Sequence, residues 1–148
     1  MGIMDTATEE EISFYLAATN GLPQVAGFSG TGFDKTGNRI PYGVGPHSVR
    51  AMRDVCRITS PKSILEIGFA QGYSSSLFLS MTDAQVTSVE IDSTDESLAA
   101  ERMPSERWPG RHRVFRCDSA KCRAVVEDRY YDMIFIDGDH LEHHVEAD

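Results

Sequence analysis

The stretch that decides the fold reads Ile64-Leu65-Glu66-Ile67-Gly68-Phe69-Ala70-Gln71-Gly72-Tyr73-Ser74. It opens with a short, mostly apolar run, which is typical of a buried strand. Gly68 and Gly72 would then let the backbone turn tightly and approach a ligand, and Ser74 is placed to cap a following helix. Two glycines are a weak signal by themselves, because any strand-to-helix turn can contain them. The stretch therefore predicts a strand, a turn and a helix, and its function depends on what surrounds it.

Downstream of Pro61, apolar runs alternate with amphipathic stretches. The apolar runs cover residues 64–67, 86–91, 114–117 and 131–136, and the amphipathic stretches cover 74–81, 95–103 and 120–127. Strands that alternate with helices indicate βαβ units. We therefore expect an α/β fold with a Rossmann-like, doubly wound parallel sheet, in which the first and fourth strands lie side by side and the fourth is an edge. Ser93 and Glu96 fit a capping box that opens the second helix, and Pro104 is expected to close it.

The N-terminal third has a different pattern. A capping box at Thr8–Glu11 predicts a helix over 8–19. A Gly-rich stretch over 20–45 follows without a helical or strand period, and it fits a substrate lid, an oligomer contact or a flexible arm. Pro46 then opens a further helix that ends near Thr59. We divide the chain into an N-terminal helix and loop over 1–45 and a Rossmann-like domain over 46–148, which we expect to be incomplete at its C-terminus.

Polar residues end the predicted strands. Ligands of open parallel sheets bind outside the carboxyl ends of the strands. Glu90 ends the second strand, and an acid about 20 residues after a Gly-rich turn is placed to bind both hydroxyls of a ribose. Asp118 and Ser119 end the third strand, where Asp118 fits either an adenine contact or a simple helix N-cap. The fourth strand ends in Asp137-Gly138-Asp139-His140, which puts two carboxylates and an imidazole at the same edge.

Composition excludes several classes of protein. The net charge of −9 repels nucleic acid and anionic membranes, and we interpret the one basic stretch, Arg107–Arg116, as the solvated flank of a strand. The sequence contains no apolar run of about 18 residues and no basic-then-apolar leader at its start, so a cytoplasmic location is expected. Cys56, Cys117 and Cys122 are odd in number and lack C-x-x-C spacing, which indicates reduced, mostly buried thiols.

From Pro46 onward the chain resembles the class I S-adenosylmethionine-dependent methyltransferases. Within that family it is most similar to the small-molecule O-methyltransferases related to the catechol and caffeoyl-CoA enzymes. Three ordered motifs carry the resemblance: Leu65–Ser74, Glu90 and Asp132–His140. The resemblance covers roughly two thirds of the chain, although Ala70 stands where the first motif usually has its middle glycine.

The resemblance implies roles for these positions. The first motif, with Glu66, Gly68, Gly72, Tyr73 and Ser74, would cradle the methionine moiety of S-adenosylmethionine. The acid at Glu90 would bind the ribose, and Asp118 and Ser119 would lie by the adenine.

The fourth strand end carries the implied chemistry. Metal-dependent members use the aspartate matching Asp137 as a Mg²⁺ ligand, and Asp139 would be a second candidate ligand. The family places a lysine base three residues after that aspartate. Here the position is His140, whose ordinary pKa of about 6.5 suits a base near neutral pH, although a metal ligand or a helix-start residue fits the same position. The family's remaining metal ligands follow a fifth strand that this sequence does not contain, so the implied magnesium site is only partial.

Three other functions compete with this prediction. The first is a nicotinamide-dependent dehydrogenase. The sequence argues against it, because G-x-G-x-x-G is absent and Glu66 suits a cationic cofactor better than a pyrophosphate. A hydrolytic zinc site would need H-E-x-x-H, which the His140 to His144 region does not contain. A cofactor-binding fragment or partner subunit without turnover stays open.

The sequence therefore predicts S-adenosylmethionine-dependent O-methylation of a small-molecule hydroxyl, with no nucleic-acid or membrane partner. We also expect the chain to form a homo-oligomer or to be completed by a further C-terminal segment.

Overall fold

The computed structural model describes residues 7–22, 32–33, 39–40, 45–124, 126 and 130–137. The helices are α1 (Glu9–Ala18), α2 (Val49–Thr59), α3 (Tyr73–Met81) and α4 (Asp95–Arg107). The strands are β1 (Gly32–Phe33), β2 (Arg39–Ile40), β3 (Ser63–Ile67), β4 (Gln85–Glu90), β5 (His112–Arg116) and β6 (Met133–Ile136). Short 3-10 turns cover Pro46–Ser48 and Ser119–Ala124. Strands β1 and β2 form a separate antiparallel pair.

Strands β3 to β6 form one parallel sheet in the order β5-β4-β3-β6. Leu65 pairs with Thr87 on one side and with Ile134 on the other, which fixes the register of β3 between β4 and β6. The α/β fold and the side-by-side placement of the first and fourth predicted strands are thus confirmed. Strand β6 is an edge of the described sheet, and the carboxyl ends of all four strands lie at one edge of it.

Residues two apart along a strand share a face of the sheet. Helices α1, α2 and α3 pack on the face that carries Ile64 of β3 and Val86 of β4. The main core on this face contains Tyr15, Ala18, Val49, Met52, Cys56, Ile64, Leu77, Phe78, Leu79, Ala84 and Val86. A smaller cluster on the opposite face contains Ile67, Val89, Cys122 and Val126. Helix α1 contributes to the main core, so it packs on the body that carries the sheet. The domain boundary at residue 45 stays a prediction.

The predicted capping box at the start of α1 is confirmed. Glu11 N donates to Thr8 Oγ1 at 3.2 Å, and Thr8 N donates to Glu11 Oε2 at 2.8 Å, which completes the predicted capping box. Arg50 Nε also donates to Glu11 Oε1 at 2.8 Å and joins α1 to α2. Pro46 begins the 3-10 turn that leads into α2. Three thiols, at Cys56, Cys117 and Cys122, are free, as expected.

Three local predictions are wrong. The N-cap of α4 is Thr94, whose side chain accepts from Ser97 N at 3.3 Å, rather than Ser93. Pro104 lies inside α4, which continues to Arg107 because the loss of one amide donor leaves the following bonds intact, such as Trp108 N to Pro104 O at 2.9 Å. The predicted 120–127 helix is a 3-10 turn over Ser119–Ala124 in its described part.

In the basic stretch, Arg107 and Arg113 are exposed, as predicted, whereas Arg111 and Arg116 are half-buried. Arg107 Nη1 donates to Ala17 O at 2.7 Å and so satisfies the C-terminal end of α1. Arg111 Nη2 donates to Thr82 O at 2.6 Å, and its Nε donates to Ala84 O at 3.2 Å. These side chains hold the end of α1 and the loop between α3 and β4 in place. Separately, no helix in the described ranges is long and apolar enough to cross a membrane.

Candidate functional site: the carboxyl edge of the sheet

The turn between β3 and α3 has an unusual backbone. Gly68 (φ 95°), Ala70 (φ 47°) and Gly72 (φ 80°) all adopt left-handed conformations. A Cβ at position 72 would lie 2.9 Å from Phe69 Cζ, so glycine is required there for space as well as for conformation. Ala70 carries the strain that the usual glycine would avoid. The turn therefore has a fixed shape that depends on its neighbours.

Ser74 does not cap α3. The N-cap of this helix is Gly72, and Ser74 lies within the first turn with its hydroxyl directed to Glu66. The predicted cap is wrong because the helix begins at Tyr73, so Ser74 lies one residue inside it and donates its hydroxyl to the buried carboxylate instead. Ser75 Oγ also donates to Glu66 in a close contact.

Glu66 is completely buried and accepts from three serine hydroxyls. The third donor is Ser88 Oγ of β4, at 2.6 Å. Burial raises the pKa of Glu66 to about 7, while the hydrogen bonds from the serines lower it and the nearby charge of Asp137 raises it. Glu66 thus ties the first turn of α3 to two central strands. Direct contact of Glu66 or Ser74 with a cofactor stays a prediction.

His112 extends this network and was not predicted from the sequence. Its Nε2 lies 3.1 Å from Ser88 Oγ, and its ring lies 5.4 Å from that of Phe69. Burial, together with the charge of Arg116, lowers the pKa of His112 to about 4, so the ring is neutral at neutral pH. The available signal was the spacing of Ser88 and His112 on core-facing strand positions, where polar residues need partners.

Glu90 occupies the position predicted for the ribose-binding acid, at the end of β4. Its side chain bridges two turns: Oε2 accepts from Ala70 N at 2.5 Å and Oε1 accepts from Asp92 N at 2.8 Å. Gly68 N also donates to Val89 O at 2.8 Å, which holds the glycine turn against β4. Each carboxylate oxygen has two acceptor positions. The two amides leave further positions for hydroxyl donors.

The predictions for the residues that follow β5 and β6 are tested only in part. Asp118 Oδ1 accepts from Ala120 N at 3.1 Å, so it serves as a local cap, and its contact with adenine, like that of Ser119, stays a prediction. Asp137 follows β6 and is half-buried, with its amide donating to Ile67 O at 2.8 Å. The structure thus brings Glu66, Glu90 and Asp137 to one edge. Asp139 and His140 lie outside the described residues.

The described residues contain no group of three His, Cys, Asp or Glu side chains that could hold a metal ion. Asp137 lies within this range, whereas its predicted companion Asp139 does not. Magnesium binding therefore stays a prediction.

Comparison with known proteins gives a consistent result. A family model described as a methyltransferase domain matches residues 65–148, which is more than half of the chain. No curated protein matches the sequence. A structure from Staphylococcus aureus assigned as a caffeoyl-CoA O-methyltransferase is 26% identical with a TM-score of 0.58, and the match covers 95% of this chain and 59% of that one.

Two further structures show the same fold at lower identity. An assigned O-methyltransferase from Klebsiella pneumoniae is 21% identical with a TM-score of 0.57, covering 91% of this chain and 54% of the other. An O-methyltransferase from Bacillus cereus, in complex with S-adenosylhomocysteine (SAH), is 22% identical with a TM-score of 0.56, covering 88% and 53%. This chain therefore spans between 53% and 59% of the length of these three structures.

The four-stranded parallel sheet, the helices that flank it and the family match at residues 65–148 agree with one another. The chain belongs to the methyltransferase-domain family and has its Rossmann-like fold.

Proposed function

We propose that this chain binds S-adenosylmethionine at the carboxyl edge of its sheet and serves in methyl transfer to a small-molecule hydroxyl. The observation that carries the proposal is the position of Glu90. Its buried carboxylate is held by two backbone amides beside a left-handed glycine turn and keeps acceptor positions for the two hydroxyls of a ribose.

The charge of the site supports the same cofactor. Glu90 ends β4 and Asp137 follows β6, on either side of β3, and both are acids at the carboxyl edge. Such an edge favours a cationic sulfonium over the pyrophosphate of a dinucleotide, which prefers helix-end amides and basic groups. The Bacillus cereus O-methyltransferase, which is similar in fold, binds SAH, and this supports the choice of cofactor.

Bound S-adenosylmethionine would supply an activated methyl group. The residues of this chain would orient it: Gly68 and Gly72 shape the turn beside the methionine moiety, Glu90 holds the ribose, and Asp118 and Ser119 border the adenine. We assign the removal of the acceptor's proton to His140, and Asp137 and Asp139 are the residues that would hold Mg²⁺. The alignment of acceptor oxygen and methyl carbon would then provide most of the rate enhancement.

Binding without turnover is the second candidate. It is favoured by the edge strand β6, where Ile134 is 57% exposed and Ile136 43% exposed. Native proteins usually cover or charge such edges. Completion by a further segment, or by a second copy, would cover this one. The cytoplasmic location expected from the sequence belongs with these proposals.

Calorimetric titration of SAH into the wild-type chain, Glu90→Ala and Glu96→Ala tests cofactor binding. Loss of the charge-assisted bonds in Glu90→Ala should weaken binding by about 1–3 kcal/mol, or roughly 5- to 150-fold. Glu96, an exposed acid in the first turn of α4, is the control for charge alone and should leave the affinity unchanged. Equal affinities of wild type and Glu90→Ala would refute the assignment.

Mass spectrometry of a methyl-transfer reaction with catechol-type acceptors separates the two candidates. A methylated product that forms in step with SAH supports the enzyme. Tight SAH binding with no product for any hydroxyl acceptor supports the binding subunit.

A further inference from the structure

Arg116, the last residue of β5 and of the basic stretch, makes an unusual set of contacts. Nη1 donates to Asp92 O at 2.7 Å and to Ser97 Oγ at 2.7 Å. Nη2 donates to Ser97 O at 3.2 Å and to Glu101 Oε2 at 2.8 Å. The side chain is 19% exposed, so these bonds are largely shielded from water. The guanidinium therefore fixes the loop after β4 and the first turns of α4.

The same guanidinium also contacts the turn after β3. Its Cζ lies 5.7 Å from the ring centroid of Phe69, which is buried. A cation over an aromatic face at this distance is attractive. Arg116 thus reaches both turns at the carboxyl edge from a third strand.

These are the two turns between which Glu90 is held. Asp92, whose carbonyl accepts from Arg116, donates its amide to Glu90 Oε1. Phe69, which lies under the guanidinium, directly precedes Ala70, whose amide donates to Glu90 Oε2. Arg116 and Glu90 are also register partners in the sheet. The guanidinium therefore fixes the spacing of the two amides that orient the Glu90 carboxylate.

We propose that Arg116 is a positioning residue for cofactor binding, acting through Glu90. This inference rests on the proposed function, because Glu90 is there assigned to the ribose. Only an arginine can fill the position fully, since its planar fork supplies donors in several fixed directions and also stacks on a ring, whereas lysine offers one compact charge. Substitution by lysine should leave the charge in place and loosen the geometry.

A purely structural role would give a different result, and Arg111 provides the matched control. Arg111 also donates to backbone carbonyls, those of Leu79, Thr82 and Ala84, but at the opposite edge of the sheet. Arg111→Lys should therefore destabilise the fold in a similar way without any route to Glu90.

The test is calorimetric SAH titration and thermal unfolding of the full chain, its Arg116→Lys and Arg111→Lys variants, and the double variant Arg116→Lys/Glu90→Gln. Both lysine variants should unfold at a lower temperature. Arg116→Lys should weaken SAH binding about tenfold, whereas Arg111→Lys should stay within about twofold of wild type. The double variant should bind no more weakly than Glu90→Gln alone, because coupled residues are non-additive.

Wild-type affinity in Arg116→Lys, equal losses in both lysine variants, or additive losses in the double variant would each overturn the inference while leaving the proposed function intact. A wild-type chain that does not bind SAH would overturn both. If Arg116→Lys does not fold, Ser97→Ala removes the hydroxyl acceptor of Nη1. It should then weaken SAH binding by about two- to fivefold, and unchanged affinity would contradict the inference.

Discussion

The amino and carboxyl edges of the sheet contain the same kinds of hydrogen bond, but we assign them different functions. At the amino edge, Asp132 Oδ2 accepts from Lys62 N at 2.7 Å and from Ser63 N at 3.0 Å. At the carboxyl edge, the Glu90 carboxylate likewise accepts from two backbone amides. Each edge also has an arginine that donates to backbone carbonyls. Contact type alone therefore does not distinguish a strand clasp from a ligand site.

Burial and backbone conformation do distinguish them. Asp132 is exposed, and one of its oxygens takes both amides. Glu90 is buried, and each of its oxygens accepts from one amide, so the carboxylate is held between two different turns. One of those amides belongs to Ala70 in a left-handed conformation. We propose that a carboxylate held in this way is preorganised for a ligand, whereas Asp132 fastens β3 to β6.

The largest expected effect comes from removing the other buried acid of the carboxyl edge. Glu66→Ala removes the acceptor shared by the hydroxyls of Ser74, Ser75 and Ser88, of which Ser88 keeps its contact with His112, and should cost about 3–5 kcal/mol in the free energy of unfolding. Urea denaturation measures this loss. Asp132→Ala is the control at the amino edge. It should destabilise the fold far less, because water can replace the carboxylate as the acceptor for the exposed amides of Lys62 and Ser63. Equal losses would show that burial is not what separates the edges.

A glycine pair sharpens the comparison at the level of the backbone. Gly72 and Gly110 have similar left-handed conformations, with φ of 80° and 76°. A Cβ at Gly72 meets the Phe69 ring at 2.9 Å, whereas one at Gly110 meets nothing within 4 Å.

Gly110→Ala should therefore cost about 1–2 kcal/mol for conformation alone, and Gly72→Ala should cost about 2 kcal/mol more for the clash. Urea unfolding of both variants gives the difference directly. Losses that agree within error would mean that the turn after β3 is not sterically fixed.

The pH dependence of stability gives a smaller effect. The folded-state pKa of Glu66 is raised to about 7 by burial, so its contribution to stability is present below the ordinary pKa of 4.5 and is lost as pH rises through 7. The folded-state pKa of His112 is lowered to about 4, so its contribution is present above 6.5 and is lost as pH falls toward 4. The two trends oppose each other between these limits.

Removing one member of the pair should expose the trend of the other. Glu66→Gln should become more stable from pH 5 to 6.5, and His112→Asn should become less stable, each by about 2 kcal/mol. Chemical denaturation at a series of pH values, with wild type as the flat reference, measures both slopes. Parallel curves for the two variants would contradict the assignment of the shifts to these residues.

The sequence was sufficient for the features that depend on periodicity. Alternating runs predicted the parallel sheet, and the order of strands placed β6 beside β3. The position of Glu90 at a strand end followed from its spacing after Gly68. These features depend on residues close in the chain or on general rules of α/β topology.

Most of the failures come from contacts with residues elsewhere in the chain. Ser74 was expected to cap α3, but it lies inside the helix and donates its hydroxyl to the buried carboxylate of Glu66. His112 and Arg116 gain their roles only when β5 is placed beside β4, and the one sequence signal for His112 is a polar residue at a core-facing position. Local propensity cannot weigh such contacts. Pro104 has a local cause instead, because it loses only one bond near the end of α4.

The most direct test of the account is a crystal structure of this chain with SAH. We expect the ribose hydroxyls to lie within about 2.5–3.0 Å of the two Glu90 oxygens, with the amides of Ala70 and Asp92 still donating to the same carboxylate. A ribose bound elsewhere on the protein, with Glu90 contacting only those amides, would contradict the central claim that the carboxyl edge is built around Glu90 as a ligand site.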